Sequence, residues 1–347
     1  MRKLCIMAVL LLWLATPTLA LEISPPEVPS SGEIYMPEST QSFPQALWYV
    51  LRRGLEKALP EVTQTAGMCV GIFAVSVLVS AVENFPGTAG QVLHLCATVM
   101  IGLLLLEPTA SIVTLGAETV TELTQYGKLL IPVMTGALAA QGQVSSSAAL
   151  CAGSTFFCSV LSSLVTGLLV PALYLYFCLS LLCGALGETL LKKLRDLLKW
   201  LITWGLKLSL YLFSGYLGIT GVISGAADAS AVKVAKLTLS GMVPVVGNIL
   251  SEASETVLVG ASLMKNSAGV YGLIAIIAVF IGPFLKIGTQ YLLLKLTGGI
   301  CAVFSTEKES ALLQDFSNGM GMVLAMTGCV CLFLLIAVVC FMKGVSG

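Results

Sequence analysis

The residues best placed to do chemistry lie between 219 and 268. This stretch carries Asp228, Lys233, Lys236, Glu252, Glu255 and Lys265, with long apolar runs on either side. Asp228 with Glu252 or Glu255 could form paired carboxylates. The lysines at 233 and 236 make ion pairing the simpler use of those acids. Ionisable groups set between apolar spans face a protein interior or a watery cavity. Small residues crowd the same stretch, Gly221 and Gly225 at GxxxG spacing among them, and such residues let helix backbones approach closely. Gly241, Pro244 and Gly247 interrupt its middle and break helices there. The pattern predicts a Gly/Ala-rich helical hairpin over 224–266, with Asn248 capping its second helix. The hairpin is either a polar extracytoplasmic loop or the lining of a passage. In the second case Gly221, Gly225, Asp228, Lys233, Lys236, Pro244, Gly247, Glu252 and Glu255 are its packing or lining residues.

There is no Walker-type phosphate loop, no GxSxG and no HExxH. The one histidine, His94, sits in an apolar run without a carboxylate nearby in sequence and reads as a hydrogen-bonded packing residue. The eleven cysteines lie in apolar stretches, none in a CxxC. Free cysteine behaves there as a small hydrophobe. No enzyme, metal or cofactor is expected. Eighteen bases balance eighteen acids, and no basic face interleaved with aromatics points to nucleic acid.

The elements that must position these residues are membrane helices. The 347 residues are 57% apolar and 10% charged, with a mean hydropathy of +0.96. Soluble domains are near 25% charged, and several apolar runs approach the roughly 20 residues needed to cross a bilayer. Residues 1–20 have a signal-peptide plan: Arg2 and Lys3, a short apolar core, then small residues at 18 and 20. Residues 21–66 form an extracytoplasmic Pro-rich linker, expected to be extended or disordered, followed by an amphipathic helix at 45–59. Residues 67–347 are the multispan domain.

Within that domain, spans are expected near 67–82 and 91–106, with an acidic loop carrying Glu107, Glu118 and Glu122. Residues 129–187, broken by Pro132, Gly142 and Pro171, fit three short spans or one span and a re-entrant segment. Residues 188–199 form a clean amphipathic helix. Leu190, Leu191, Leu194, Leu197 and Leu198 make one stripe, and Lys192, Lys193, Arg195 and Lys199 take the other side. Basic residues beside spans stay in the cytoplasm, and anionic lipid attracts them. This helix is expected to anchor the cytoplasmic face or to dock a cytoplasmic partner. Further spans follow near 201–223, 269–285, 287–304 and 319–342, with a polar loop at 305–318 and Lys343 placing the end of the last span inside. The fold class is all-α: a polytopic helical membrane protein with about seven transmembrane helices plus amphipathic interfacial helices.

The run GVISGAADASAVKVAKLTLSGMVPVVGNILSEASETVLVGASLMKNSAGVYGL, with LLKKLRDLLKW before it and the apolar spans after it, resembles the stage III sporulation protein AE family. The resemblance covers roughly residues 91–347. It implies the large multispan component of an assembly in endospore-forming bacteria, built with membrane-anchored ring-forming subunits and a cytoplasmic ATPase. That assembly occupies the mother-cell membrane around the forespore and forms a channel or secretion-like conduit needed after engulfment. The partners implied are those subunits, membrane lipid and further copies of the chain. A stand-alone small-solute permease and a structural scaffold are the alternatives. A permease would show a midplane pocket and inverted repeats, and no convincing internal repeat is visible.

Overall fold

The computed structural model describes residues 25–37, 42–82, 88–140, 144–219, 267–304 and 307–346. Among them every regular element is helical: α1 (Ser30–Glu33), α2 (Phe43–Val82), α3 (Thr88–Ala140), α4 (Val144–Leu164), α5 (Val170–Leu186), α6 (Thr189–Ile219), α7 (Ser267–Phe304) and α8 (Glu307–Ser346). A π-turn at Val165–Leu169 joins α4 to α5. Five stretches among the described residues are long and apolar enough to cross a membrane: Phe43–Leu78, Leu95–Ala139, Ser147–Leu186, Gly269–Val303 and Glu309–Met342.

The helices run longer than expected from the sequence because proline and charge do not end them. Pro60 lies inside α2, Pro108 and Pro132 inside α3, and Pro283 inside α7. In an apolar medium a broken backbone has no water to bond, so packing against neighbours carries the helix through. The acidic loop expected after residue 106 is therefore helical, part of α3 at about 80 Å in length. The spans expected at 269–285 and 287–304 are one helix, α7. The polar loop expected at 305–318 falls largely inside α8. The Pro-rich segment is not wholly extended: Ser30–Glu33 forms a helical turn packed on α7, where Gly32 meets Val279.

Side-chain pairings fix the directions. Gly116 meets Val323 and Gly127 meets Leu334, a constant offset, so α3 and α8 run parallel. Arg195 reaches Asp315 and Phe213 packs against Phe333, again at a constant offset, so α6 is parallel to α8 as well. Gly319 meets Phe177 while Gly184 meets Leu312, so α5 is antiparallel to α8. Gly298 meets Leu313 and Gly269 meets Met342, so α7 is antiparallel too. Lys286 on α7 pairs with Glu61 on α2 at 3.1 Å, and Gly54 meets Ile281, so α2 runs with α7. The rods alternate in direction. The end of α8 lies with the starts of α2 and α7, opposite the start of α6. The expectation that Lys343 shares a side with Lys192 therefore gives way, because residues 267–304 form one unbroken helix in place of two spans.

α8 is the central element. Its apolar window is 67% buried, against 17% for that of α2 at the edge. Phe316, Met320, Phe333, Leu334 and Phe341 of α8 are fully buried. Some hydroxyls in the bundle bond back to their own helices, as Ser180 does to the Tyr176 carbonyl at 2.8 Å and Thr119 to that of Leu115 at 2.7 Å. That removes the cost of burying them. Among the described cysteines, Cys69, Cys158, Cys183, Cys301, Cys329, Cys331 and Cys340 are buried, while Cys96 and Cys178 are exposed. Cys5 lies outside the described residues.

Candidate functional site

The site that can be built from described residues lies at the start of α6. Its chain reversal depends on Gly187, which sits at φ 73° and donates its N–H to the Cys183 carbonyl at 2.9 Å. A side chain is rarely tolerated at such an angle, so glycine closes α5 there. α6 begins two residues later and runs unbroken to Ile219. The amphipathic helix expected at 188–199 is the first part of this longer rod.

Four basic residues were expected here, and the structure divides them. Lys192, Lys193 and Lys199 are exposed. Arg195 turns inward and its side chain is only 16% exposed. Its guanidinium pairs with Asp315 of α8 and also holds Asp196 through two N–H groups, at 3.1 and 2.9 Å. The Tyr176 hydroxyl of α5 donates to the Asp315 backbone carbonyl at 3.1 Å. Three helices are thus tied at one point. Partial burial pulls the arginine's proton affinity down, but Asp196 and Asp315 outweigh it and hold it above its ordinary range. Arg195 is a structural cation, and the three lysines are the free ones of this group.

The leucine stripe of α6 is not covered by the rest of the bundle. Leu190, Leu194 and Leu197 are exposed, Trp200 and Trp204 continue the exposed line, and the two indoles stack at 5.6 Å. Lysines beside an uncovered leucine and tryptophan face suit an anionic membrane surface or a partner helix.

A second polar site joins α1, α2, α3 and α7. Ser31 donates to Glu122, Lys286 pairs with Glu61, and the Lys57 ammonium lies 5.8 Å from the ring centre of Tyr35. Burial, and after it the Glu61 charge, raises the Tyr35 hydroxyl above its ordinary value. None of these contacts was visible in the sequence, since each partner is remote. Asp315 and Tyr176 were missed as well. A lone aspartate in a polar run carries no signal that it meets an arginine 120 residues away.

Gly221, Gly225, Asp228, Lys233, Lys236, Pro244, Gly247, Glu252 and Glu255 all lie outside the described residues, as does the proposed signal peptide. Among the described residues no group of three or more His, Cys, Asp or Glu is arranged to hold a metal ion.

Comparison with known proteins adds the following. A family model described as Stage III sporulation protein AE matches residues 37–344. The stage III sporulation protein AE of Bacillus subtilis (strain 168) is 24% identical over 183 residues, which are 53% of this chain and 46% of that protein. The match thus spans about half the length of that curated relative. No solved structure matches.

Proposed function

The chain belongs to the stage III sporulation protein AE family, and from that premise we propose that it is the multispan subunit of a conduit or export platform. Family membership supports a role in sporulation, and five long apolar helices support a membrane protein. The proposal goes further. The subunit works in the mother-cell membrane around the forespore, beside ring-forming subunits and a cytoplasmic ATPase, and it is needed for forespore development after engulfment. Against the about seven crossings expected from the sequence, five helices qualify by length and composition, and α6 is a further candidate rod. It performs no catalysis and takes no cofactor.

One observation carries this role. The Arg195–Asp315 pair fixes α6 against the central helix, so Lys192, Lys193 and Lys199 are presented on a rigid face at one end of the bundle. The positive-inside rule makes that end cytoplasmic, where anionic lipid and an energising partner would both be found. The hairpin at 224–266 then falls on the outer side, with Asp228, Lys233, Lys236, Glu252 and Glu255 available to line the passage. The test is microscopic. Spore-forming cells lacking this protein should complete engulfment and then stall. Forespores that mature normally in such cells would overturn the proposal.

A further inference from the structure

The exposed side of α3 carries a polar line. From Glu107 it passes through Ser111, Thr114, Glu118, Thr121 and Gln125 to Lys128, every one of them exposed. The steps alternate between four residues and three, which keeps all of them on one helix face. The other exposed residue in this interval is Ala110. Leu106 and Leu129 are exposed just beyond its two ends, and no large apolar side chain is exposed between them. At 1.5 Å per residue the line is about 32 Å long, close to the roughly 30 Å thickness of bilayer hydrocarbon.

A helix face of this kind could simply stand in water beyond the membrane. The helices α5 and α6 at the same level argue against that. α3 and α6 are both in parallel register with α8, through Gly116–Val323 and Gly127–Leu334 on one side and Arg195–Asp315 and Phe213–Phe333 on the other. On that scale Trp204 is level with Glu118 and Leu212 with Gln125, and both are exposed. On α5, Leu175 is exposed next to Tyr174, whose hydroxyl lies 3.5 Å from that of Thr114. In one cross-section the bundle is therefore greasy at α5 and α6 and polar at α3, and towards Gln125 also at α2, where Arg52, Arg53, Glu56 and Lys57 are exposed. Lipid suits the first face but not the second. Thr121 can satisfy itself through the Ala117 carbonyl at 2.9 Å. Glu107, Glu118, Gln125 and Lys128 have no such recourse in hydrocarbon.

We propose that this face of α3 lines a water-filled path across the membrane, with Glu107 and Glu118 making its first two thirds attractive to cations and positively charged segments. The path deepens the conduit role and rests on it for its purpose. It also places the lining on α3, a helix separate from the hairpin at 224–266.

The experiment is thiol labelling of the full-length chain in membranes of sporulating cells. Single cysteines replace Ser111, Thr114, Thr121 and Gln125 in a chain that also carries Cys96→Ser and Cys178→Ser. Membrane-impermeant methanethiosulfonates, one cationic and one anionic, are the probes, and labelling is normalised to thiol exposed in detergent. All four positions should react, the cationic reagent about tenfold faster than the anionic one, and Glu118→Gln should shrink that preference at Thr121→Cys. Leu175→Cys and Leu212→Cys should stay unreactive. Equal reaction at Leu175 and Leu212 would show the whole level standing in water and overturn the proposal. Silence along the α3 line, or indifference to reagent charge, would overturn it too. Any of those results would leave the sporulation test of the conduit role intact.

Discussion

Arg195 of α6 and Asp315 of α8 are 120 residues apart in the chain and form an ion pair in which each side chain is less than a fifth exposed. Through it the basic end of α6 is held against the most enclosed helix of the bundle. Removing one partner strands the other charge, which typically costs about 3 kcal/mol. Arg195→Ala and Asp315→Ala should each lower the thermal midpoint in detergent. The double variant should be less destabilised than the two added together, by about 1–3 kcal/mol of coupling. Strict additivity would show that the pair contributes nothing.

The seam between α3 and α8 depends on two glycines. A Cβ on Gly116 would fall 2.4 Å from Val323, and one on Gly127 would fall 2.4 Å from Leu334. Gly127→Leu should force the helices apart and cost about 1–3 kcal/mol as overpacking. Gly136 of the same helix has nothing within 4 Å of its added Cβ. Gly136→Ala should leave stability unchanged or raise it by about 0.5–1 kcal/mol. Melting of the two variants side by side separates tight packing from helix propensity.

Direction along the bundle can be read from outside the cell. A cysteine at Lys193 should react only when reagent enters the cytoplasm. A reporter placed after α8 should report the opposite side, because α6 and α8 are parallel and α8 ends away from Lys193. Finding both on the same side would mean that α7 crosses twice.

Asp228→Ala or Lys236→Ala should impair spore formation while the protein still inserts and accumulates. Membrane fractionation with spore counts reads both quantities. Normal spore yield in both variants would remove the passage-lining role from the hairpin.

The sequence showed where local pattern decides structure. The leucines at 190, 194 and 197 mark one face of a helix in the sequence, and the structure leaves those side chains exposed at the start of the longer α6. Elsewhere tertiary packing overrode local signals. Pro108 and Glu107 read as the end of a span, yet α3 continues through both. Pro283 and Lys286 read as another end, but Lys286 meets Glu61, a partner 225 residues away, and α7 goes on. The polar residues from Glu107 to Lys128 read as a loop only if charge is equated with departure from the membrane. Their alternating spacing of four and three was present in the sequence and would have shown a helix face. The bases Lys192, Lys193, Arg195 and Lys199 stand together in the sequence. Their division into three free lysines and one clamped arginine needed Asp315, which no local pattern could supply.

The enclosure of α8 has a consequence for biogenesis. α8 follows every other described helix in the chain, so α3, α5, α6 and α7 reach the bilayer before the rod they are built to surround. Until it arrives they must hold a vacancy or remain loosely gathered, with Phe177 and Phe213 lacking the companions they meet in Phe316 and Phe333. Closure of the bundle is thus an act that waits on the ribosome.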